Sequence, residues 1–150
     1  MSAHPSIPVR PWEDAMTVRS NNAMQQVMAL YEAISRGALG ALYDSLDEHI
    51  VWELYAPEAL PFSGVWRGRV GVGRFMSALH AAVEDNHFEM REYVVMGERV
   101  VAIGRQRGIA RASGRAFDIP VVHVWDLLGG RVTRWRCALD SGAMIEAMAA

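Results

Sequence analysis

Four β-rich runs separated by glycine-containing turns fill the second half of the chain and constrain its fold. The turns are Gly97-Glu98, Ser113-Gly114 and Gly129-Gly130, which are pairs that favour hairpins. The spacing predicts strands over residues 88–96, 99–111, 115–127 and 131–140. Because each turn is short, neighbouring runs should pair antiparallel as a meander. The two central runs are about a dozen residues each, longer than the usual five or six, which indicates a bent sheet with a concave side.

The first half of the chain has helical periodicity. Apolar residues at helical spacing follow the potential cap Ser20-Asn21-Asn22 and run from Met24 to Ile34, and Gly37 ends the helix. Further helices are predicted around Leu39, Leu42 and Leu46, over residues 72–83, and around Met144 and Ile145. Three helices before a curved sheet make an α+β domain.

The N-terminal segment differs from the rest of the chain. Residues 1–20 contain Pro5, Pro8 and Pro11 with mixed charges and no apolar run. We predict a flexible tail there, followed by a single domain over residues 21–150.

Composition excludes several kinds of function. All 15 basic residues are arginine, so Schiff-base and pyridoxal chemistry on lysine and a phosphate-binding P-loop are excluded. The net charge of -2 argues against nucleic-acid binding, since the basic clusters at residues 67–69 and 105–107 lack interleaved exposed aromatics and are offset by acidic residues. No run is apolar enough to cross a membrane. The single Cys137 fits a reducing cytoplasm, and it is expected to be an inert buried thiol. No histidine or cysteine motif predicts a metal, and no cofactor is expected.

A glutamate lies inside an apolar alternation in the segment from Val51 to Tyr55. Glu53 falls on the same side as Val51 and Tyr55, and we predict that this side faces the core. A carboxylate held there loses hydration, which suits it to act as a general base or acid at neutral pH. The alternatives are a strand-end position with the carboxylate in water, or an ion pair with an arginine.

Strand parity then predicts the lining of a pocket. The inward set is Gln106, Gly108, Val122, Val124, Trp135, Cys137 and Leu139. Gln106 is polar and fits either a ligand contact or a satisfied core amide. Small residues such as Gly104 leave space on that strand. The loop over residues 56–64 should roof the pocket, with Phe62 against the ligand, and such a cavity suits a small hydrophobic molecule with one or two oxygens.

The opposite face of the 115–127 strand is too apolar to be left in water. It comprises Phe117, Ile119, Val121, His123 and Trp125. A sheet that is apolar on both sides implies a partner, so we expect a twofold homodimer through this face, with Arg134 and Arg136 at its polar rim.

Short patterns in a fixed order give the chain a family resemblance. They are residues 29–37 (ALYEAISRG), 51–53 (VWE), 62–68 (FSGVWRG), 122–125 (VHVW) and 130–132 (GRV). From about Met24 to Met148 the chain resembles the SnoaL-like branch of the nuclear transport factor 2-like superfamily. The resemblance implies a cone of helices on a curved sheet around a cavity, usually dimeric, in isomerases, cyclases, epoxide hydrolases and non-catalytic binders.

Comparison with the ketosteroid isomerase members implies roles for single residues. It places Glu53 at the catalytic base and Tyr31 at the oxyanion-stabilising tyrosine, while Val122 stands where those enzymes carry a protonated aspartic acid. Independently, Tyr31 lies on the apolar stripe of its helix, so its hydroxyl should point inward and need a partner. That partner is either a ligand oxygen, or a backbone carbonyl or Glu53.

Functions of different classes fit these residues. One is an isomerase, cyclase or lyase in which Glu53 moves a proton beside a carbonyl while Tyr31 stabilises the oxyanion. Another is a non-catalytic carrier or sensor that encloses an apolar ligand. A third is a protein whose apolar sheet face binds a different protein.

Overall fold

Four helices and six strands follow one another in residues 11–150, the part of the chain that the computed structural model describes. They are α1 (Pro11–Ser35), α2 (Leu39–Ser45), β1 (Leu46–Tyr55), β2 (Gly64–Arg67), α3 (Gly68–Ala82), β3 (Val83–Met96), β4 (Arg99–Ala110), β5 (Ala116–Leu128), β6 (Arg131–Leu139) and α4 (Ser141–Met148). No helix in this part of the chain is long and apolar enough to cross a membrane.

The strands form one mixed sheet in the order β2-β1-β6-β5-β4-β3. Strands β3 to β6 pair antiparallel, which confirms the predicted meander. Gly97 and Gly129 have φ angles of 59° and 57°, a region that glycine enters without steric cost, so both tight turns form easily. The first strand, β1, runs parallel to β6, and the short edge strand β2 was not predicted.

The first helix begins at Pro11, earlier than the predicted cap at Ser20. Residues 11–20 are therefore helical, and the first helix extends into the segment that was predicted to be a tail. Residues 1–10, the rest of that prediction, lie outside the described residues.

Cross-strand register determines the inner face of the sheet. Trp66, Trp52, Trp135 and Trp125 stand opposite one another on β2, β1, β6 and β5. Side chains that face each other across neighbouring strands lie on the same side of a sheet, so the four tryptophans form one row. Trp52, Trp125 and Trp135 are buried, which identifies this side as the one that the helices cover.

The prediction that Glu53 faces the core is wrong. The burial pattern of β1 places Ile50, Trp52 and Leu54 inside, and Glu53 lies on the outer face with Val51 and Tyr55. Both alternating sets of this strand contain apolar side chains. The bulkier set, which carries no charge, is the one buried, because it removes more apolar surface from water.

The parity of β5 is likewise opposite to the prediction. The residues assigned to an outer dimer face are instead buried on the inner side; they are Phe117, Ile119, Val121, His123 and Trp125. Val122 and Val124, which were predicted to line the pocket, lie on the outer face and are half-buried. The set with the larger aromatic side chains again occupies the core.

Candidate functional site

A cavity of about 470 Å³ lies between the inner face of the sheet and the helices α1, α2 and α3. Small-molecule sites in proteins commonly measure roughly 300–1,000 Å³. Most of the lining is apolar, and the polar side chains are concentrated at two places. One is beside the tryptophan row, and the other is on β3 and the facing part of β4.

One wall of the cavity is a rigid aromatic surface. The rings of Trp52 and Trp135 stack with centroids 4.1 Å apart and an angle of 18° between their planes. Trp125 stands edge-on to Trp52 at 6.0 Å, and Phe75 is edge-on to Trp135 at 5.8 Å. Flat walls of this kind suit a flat apolar ligand, because ring faces and edges attract one another beyond the area they bury.

Tyr31 and His123 form a hydrogen-bonded pair beside this wall. The Nε1–H of Trp125 donates to Tyr31 Oη at 2.8 Å, and Oη lies 2.6 Å from His123 Nδ1. All three residues line the cavity. The expectation that the Tyr31 hydroxyl points inward holds, and its partners are the two side chains rather than a backbone carbonyl or Glu53.

Burial keeps both members of the pair uncharged. Loss of hydration lowers the pKa of His123 to about 3. It also raises the pKa of Tyr31 well above its usual value, and the hydrogen bond from Trp125 offsets part of that rise. A neutral imidazole has one N–H and one bare nitrogen. His123 Nδ1 therefore either accepts a hydrogen bond from the Tyr31 hydroxyl, or donates one to it and leaves the Tyr31 O–H free to donate elsewhere.

Three buried nitrogens on cavity-lining side chains have no hydrogen-bond partner among the described residues. They are Nε1 of Trp52, Nε1 of Trp135 and Nε2 of His123. A buried polar group left unpaired costs about 1–3 kcal/mol. This end of the cavity is therefore poor in acceptors, since the two indole nitrogens can only donate.

The second polar region of the cavity lies where the pairing of β3 with β4 is irregular. The register of β3 against β4 shifts between Glu84 and His87, and Asp85 has a φ of 53°, a left-handed conformation uncommon outside glycine. Next to it, Asn86 Oδ1 accepts a hydrogen bond from Gln106 Nε2 at 2.6 Å. Gln106 is 3% exposed, and both amides line the cavity.

Charged side chains flank this amide pair. Glu84 and Asp85 line the cavity there, together with His80 and Arg111. Arg111 Nε donates to the His80 carbonyl at 2.8 Å, and Arg111 Nη1 lies 3.8 Å from Glu84 Oε2. Among the described residues, Glu84 and Asp85 are the carboxylates that line the cavity.

The structure brings together most of the predicted site residues. Those that line the cavity are Tyr31, Phe62, Gln106, Trp135 and Cys137. The Cys137 thiol is buried and burial raises its pKa, which is the environment of an unreactive cysteine. Val122 and Val124 do not line the cavity, because their side chains lie on the outer face of the sheet.

Glu53 is also outside the cavity. Its Oε1 lies 3.4 Å from Nη2 of Arg134 on the outer face, so the alternative of an arginine ion pair is confirmed. The space predicted around Gly104 is absent, since a Cβ there would come within 2.1 Å of the Glu89 carbonyl oxygen.

Sequence reasoning missed several residues of the cavity. They are Trp52, Leu54, Asn86, His123 and Trp125. All except Asn86 follow from the parity errors on β1 and β5. The available signal was the number of tryptophans, because large aromatic side chains are rarely left on an open sheet face. Among the side chains that the structure describes, no group of three or more potential metal ligands occurs.

Comparison with known proteins places this chain in a family. The family model described as a SnoaL-like domain matches residues 27–135. The chain belongs to the SnoaL-like family. A search of curated proteins found no match.

Solved structures share the fold of this SnoaL-like chain. A nuclear transport factor 2-like protein of unknown function from Burkholderia pseudomallei is 27% identical with a TM-score of 0.79, covering 86% of this chain and 98% of that one. A protein named as a candidate SnoaL-like polyketide cyclase, from Jannaschia, is 17% identical with a TM-score of 0.76, covering 97% and 99%. A candidate isomerase from Rhodopseudomonas palustris is 20% identical with a TM-score of 0.70, covering 84% and 94%. At the two lower identities the likeness establishes the fold alone.

Proposed function

We propose that this protein binds a small, flat, largely apolar molecule that carries at least one oxygen. The observation that supports this is the cavity of about 470 Å³ walled by Trp52, Trp125 and Trp135. Fused rings would lie against the tryptophan row. A ligand oxygen beside the tryptophans would remove part of the cost of the unpaired nitrogens there.

Filling the cavity tests this proposal. Met76 lines the cavity from α3, whereas Val70, on the same helix, is 71% exposed and is not part of the lining. Isothermal titration calorimetry with 2-naphthol and related two-ring compounds should give saturable binding to one site. Met76→Trp should weaken that binding at least tenfold because the added ring occupies the space, and Val70→Trp should leave it unchanged.

Glu53→Gln serves as a second control. Because Glu53 lies on the outer face, this substitution should not change ligand affinity. The proposal is wrong if no two-ring compound binds saturably, or if Met76→Trp and Val70→Trp, both folded by circular dichroism, weaken binding equally.

Catalysis by proton transfer is a second candidate, and the buried Tyr31–His123 pair favours it. Neutral Tyr31 can donate a hydrogen bond to an oxygen that gains negative charge in a transition state. With a pKa of about 3, His123 is too weak a base to take a proton from carbon at neutral pH. A base would therefore have to be Glu84, Asp85 or His80, which line the cavity within the described residues. Some relatives bear names from the isomerases and polyketide cyclases.

Hydrogen exchange at carbon distinguishes the enzyme from the binding protein. The probe is 2-tetralone, a flat two-ring ketone, whose exchange of protons beside the carbonyl is followed by NMR in deuterated buffer. An enzyme should accelerate the exchange, and Tyr31→Phe should slow it by about 100-fold or more, as expected for the loss of one oxyanion donor. Binding of 2-tetralone without any acceleration would leave the protein as a binder.

A further inference from the structure

We infer that the Asn86–Gln106 pair selects ligands that present a neutral hydroxyl group to it and disfavours ligands that present a carboxylate. This inference rests on the proposed function and specifies which compounds the cavity accepts. It concerns the end of the cavity at β3 and β4, away from the tryptophan row.

The local structure fixes the pair in place. Gln106 is 3% exposed, and its side chain is held by donation of Nε2–H to Asn86 Oδ1 at 2.6 Å. Asn86 reaches this position because β3 departs from regular pairing at Glu84 and His87, with Asp85 held at a φ of 53°. Uncommon backbone conformations of non-glycine residues persist where surrounding structure enforces them, and they cluster at ligand sites.

This hydrogen bond leaves the side-chain oxygen of Gln106 available. Gln106 Oε1 accepts no hydrogen bond from the described residues, and it is not among the buried atoms that lack a partner. Because Gln106 lines the cavity, this oxygen is open to a ligand. An amide oxygen requires a donor, and a hydroxyl supplies one.

The charged side chains at this end of the cavity disfavour the binding of an anionic ligand group. Glu84 and Asp85 both line this end, and Arg111 already contacts Glu84 and the His80 carbonyl. Arg111 offsets one of the two carboxylates, so a ligand carboxylate here would face a net negative charge and the bare oxygen of Gln106, and it would lose hydration on entering. A neutral hydroxyl incurs neither penalty and satisfies Gln106.

Three matched compounds test the inference on the full chain by isothermal titration calorimetry at pH 7. They are 2-naphthol, 2-methylnaphthalene and 2-naphthoate, which place a hydroxyl, a methyl or a carboxylate at the same position of one ring system. We expect 2-naphthol to bind about 2- to 10-fold more tightly than 2-methylnaphthalene, the effect of one net hydrogen bond. The carboxylate should bind most weakly of the three.

Substitutions test whether the Asn86–Gln106 pair causes the preference for 2-naphthol. Gln106→Met removes the acceptor at similar size and should bring 2-naphthol down to the affinity of 2-methylnaphthalene. Gln25→Met, the same change on the exposed side of α1, should keep the wild-type ratio. The double variant Glu84→Gln/Asp85→Asn should raise the affinity for 2-naphthoate relative to that for 2-methylnaphthalene.

The outcomes separate this inference from the proposed function. If 2-naphthol and 2-methylnaphthalene bind wild type equally, or if the preference persists in Gln106→Met, the inference is overturned while the binding function stands. If none of the three compounds binds, both are overturned. If Gln106→Met fails to fold by circular dichroism, the double variant Glu84→Gln/Asp85→Asn decides, and an unchanged ratio of the 2-naphthoate and 2-methylnaphthalene affinities overturns the inference.

Discussion

His123 shows how a single buried residue in this cavity ties stability to pH. Its ring is enclosed by Tyr31, Phe88 and Trp135, with ring centroids 5.8, 5.0 and 4.9 Å away. Burial alone lowers the pKa of this imidazole. The imidazole is therefore neutral in the folded protein across the physiological range.

Stability should fall as the pH falls below about 6.5, the usual pKa of histidine in an unfolded chain. The pKa of His123 is about 3 in the folded state, so between these values the unfolded chain binds a proton that the folded chain does not. This contribution to the free energy of unfolding is complete above about pH 6.5, and it declines by about 1.4 kcal/mol per pH unit down to about pH 3.

Urea unfolding of wild type and His123→Gln between pH 7 and pH 4.5 measures this contribution. Glutamine does not titrate. The free energy of unfolding should therefore fall more steeply with falling pH in wild type than in the variant, by the slope that corresponds to one bound proton. In wild type, the NMR signals of the His123 ring should not move between pH 7 and pH 5. Parallel curves for the two proteins would contradict the expectation.

At the scale of elements, the irregular pairing of β3 with β4 brings the backbones of the two strands close together. The register shifts again between Met90 and Glu92, and there the backbone of β3 lies close over Gly104. A Cβ on Gly104 would lie 2.1 Å from the Glu89 carbonyl oxygen and 2.7 Å from Met90 Cα. Backbone atoms cannot move aside as a flexible side chain can, so this strand pair requires glycine.

Gly104→Ala should destabilise the protein by about 2–3 kcal/mol, because the added methyl overpacks the strand pair. Gly73→Ala is the matched control. Gly73 lies in α3, where an added Cβ would meet no neighbouring atom within 4 Å, so alanine there should stabilise by about 0.5–1 kcal/mol. Chemical denaturation of the two variants measures both effects, and a change of the same sign in both would refute this account.

At the scale of the whole molecule, the outer face of the sheet has the features of an interface. Its central residues are Val101, Ile103, Val122 and Val124, which are half-buried in the single chain. Charged pairs flank them, with Arg134 against Glu53 and Arg136 against Asp126. An apolar centre with a polar rim is the usual anatomy of an interface. We therefore propose that the expected homodimer forms through these residues rather than through the buried set on β5.

Sedimentation velocity tests this assembly. Wild type should sediment as a dimer, and Val124→Arg should give a monomer because a charge at the centre of an apolar interface loses its hydration without a partner. Leu128→Arg is the control, since Leu128 is 69% exposed at the hairpin end of the same strand. A monomeric wild type would exclude the homodimer and favour a different partner protein for this face.

The preferences of neighbouring residues determined much of the secondary structure of this protein. The turns at Gly97 and Gly129, the helical periodicity from Met24 to Ile34 and the bounds of the last three strands can be read from neighbouring residues, because backbone preference and apolar spacing act over a few positions. From these come the α+β class and the antiparallel meander, whereas the SnoaL-like resemblance came from short sequence patterns in a fixed order. The inward position of Tyr31 followed from the same helical spacing.

Tertiary structure alone decided which side of β1 and β5 faces the helices. Both alternating sets of these strands contain apolar side chains, so the pattern within one strand did not distinguish them. The choice depends on Trp52 meeting Trp66 and Trp135 across the sheet, and Trp135 meeting Trp125. Those contacts join residues far apart in sequence, and burying them together removes more apolar surface from water than the opposite parity would. For that reason Glu53 lies on the outer face, where it forms an ion pair with Arg134, and His123 lines the cavity.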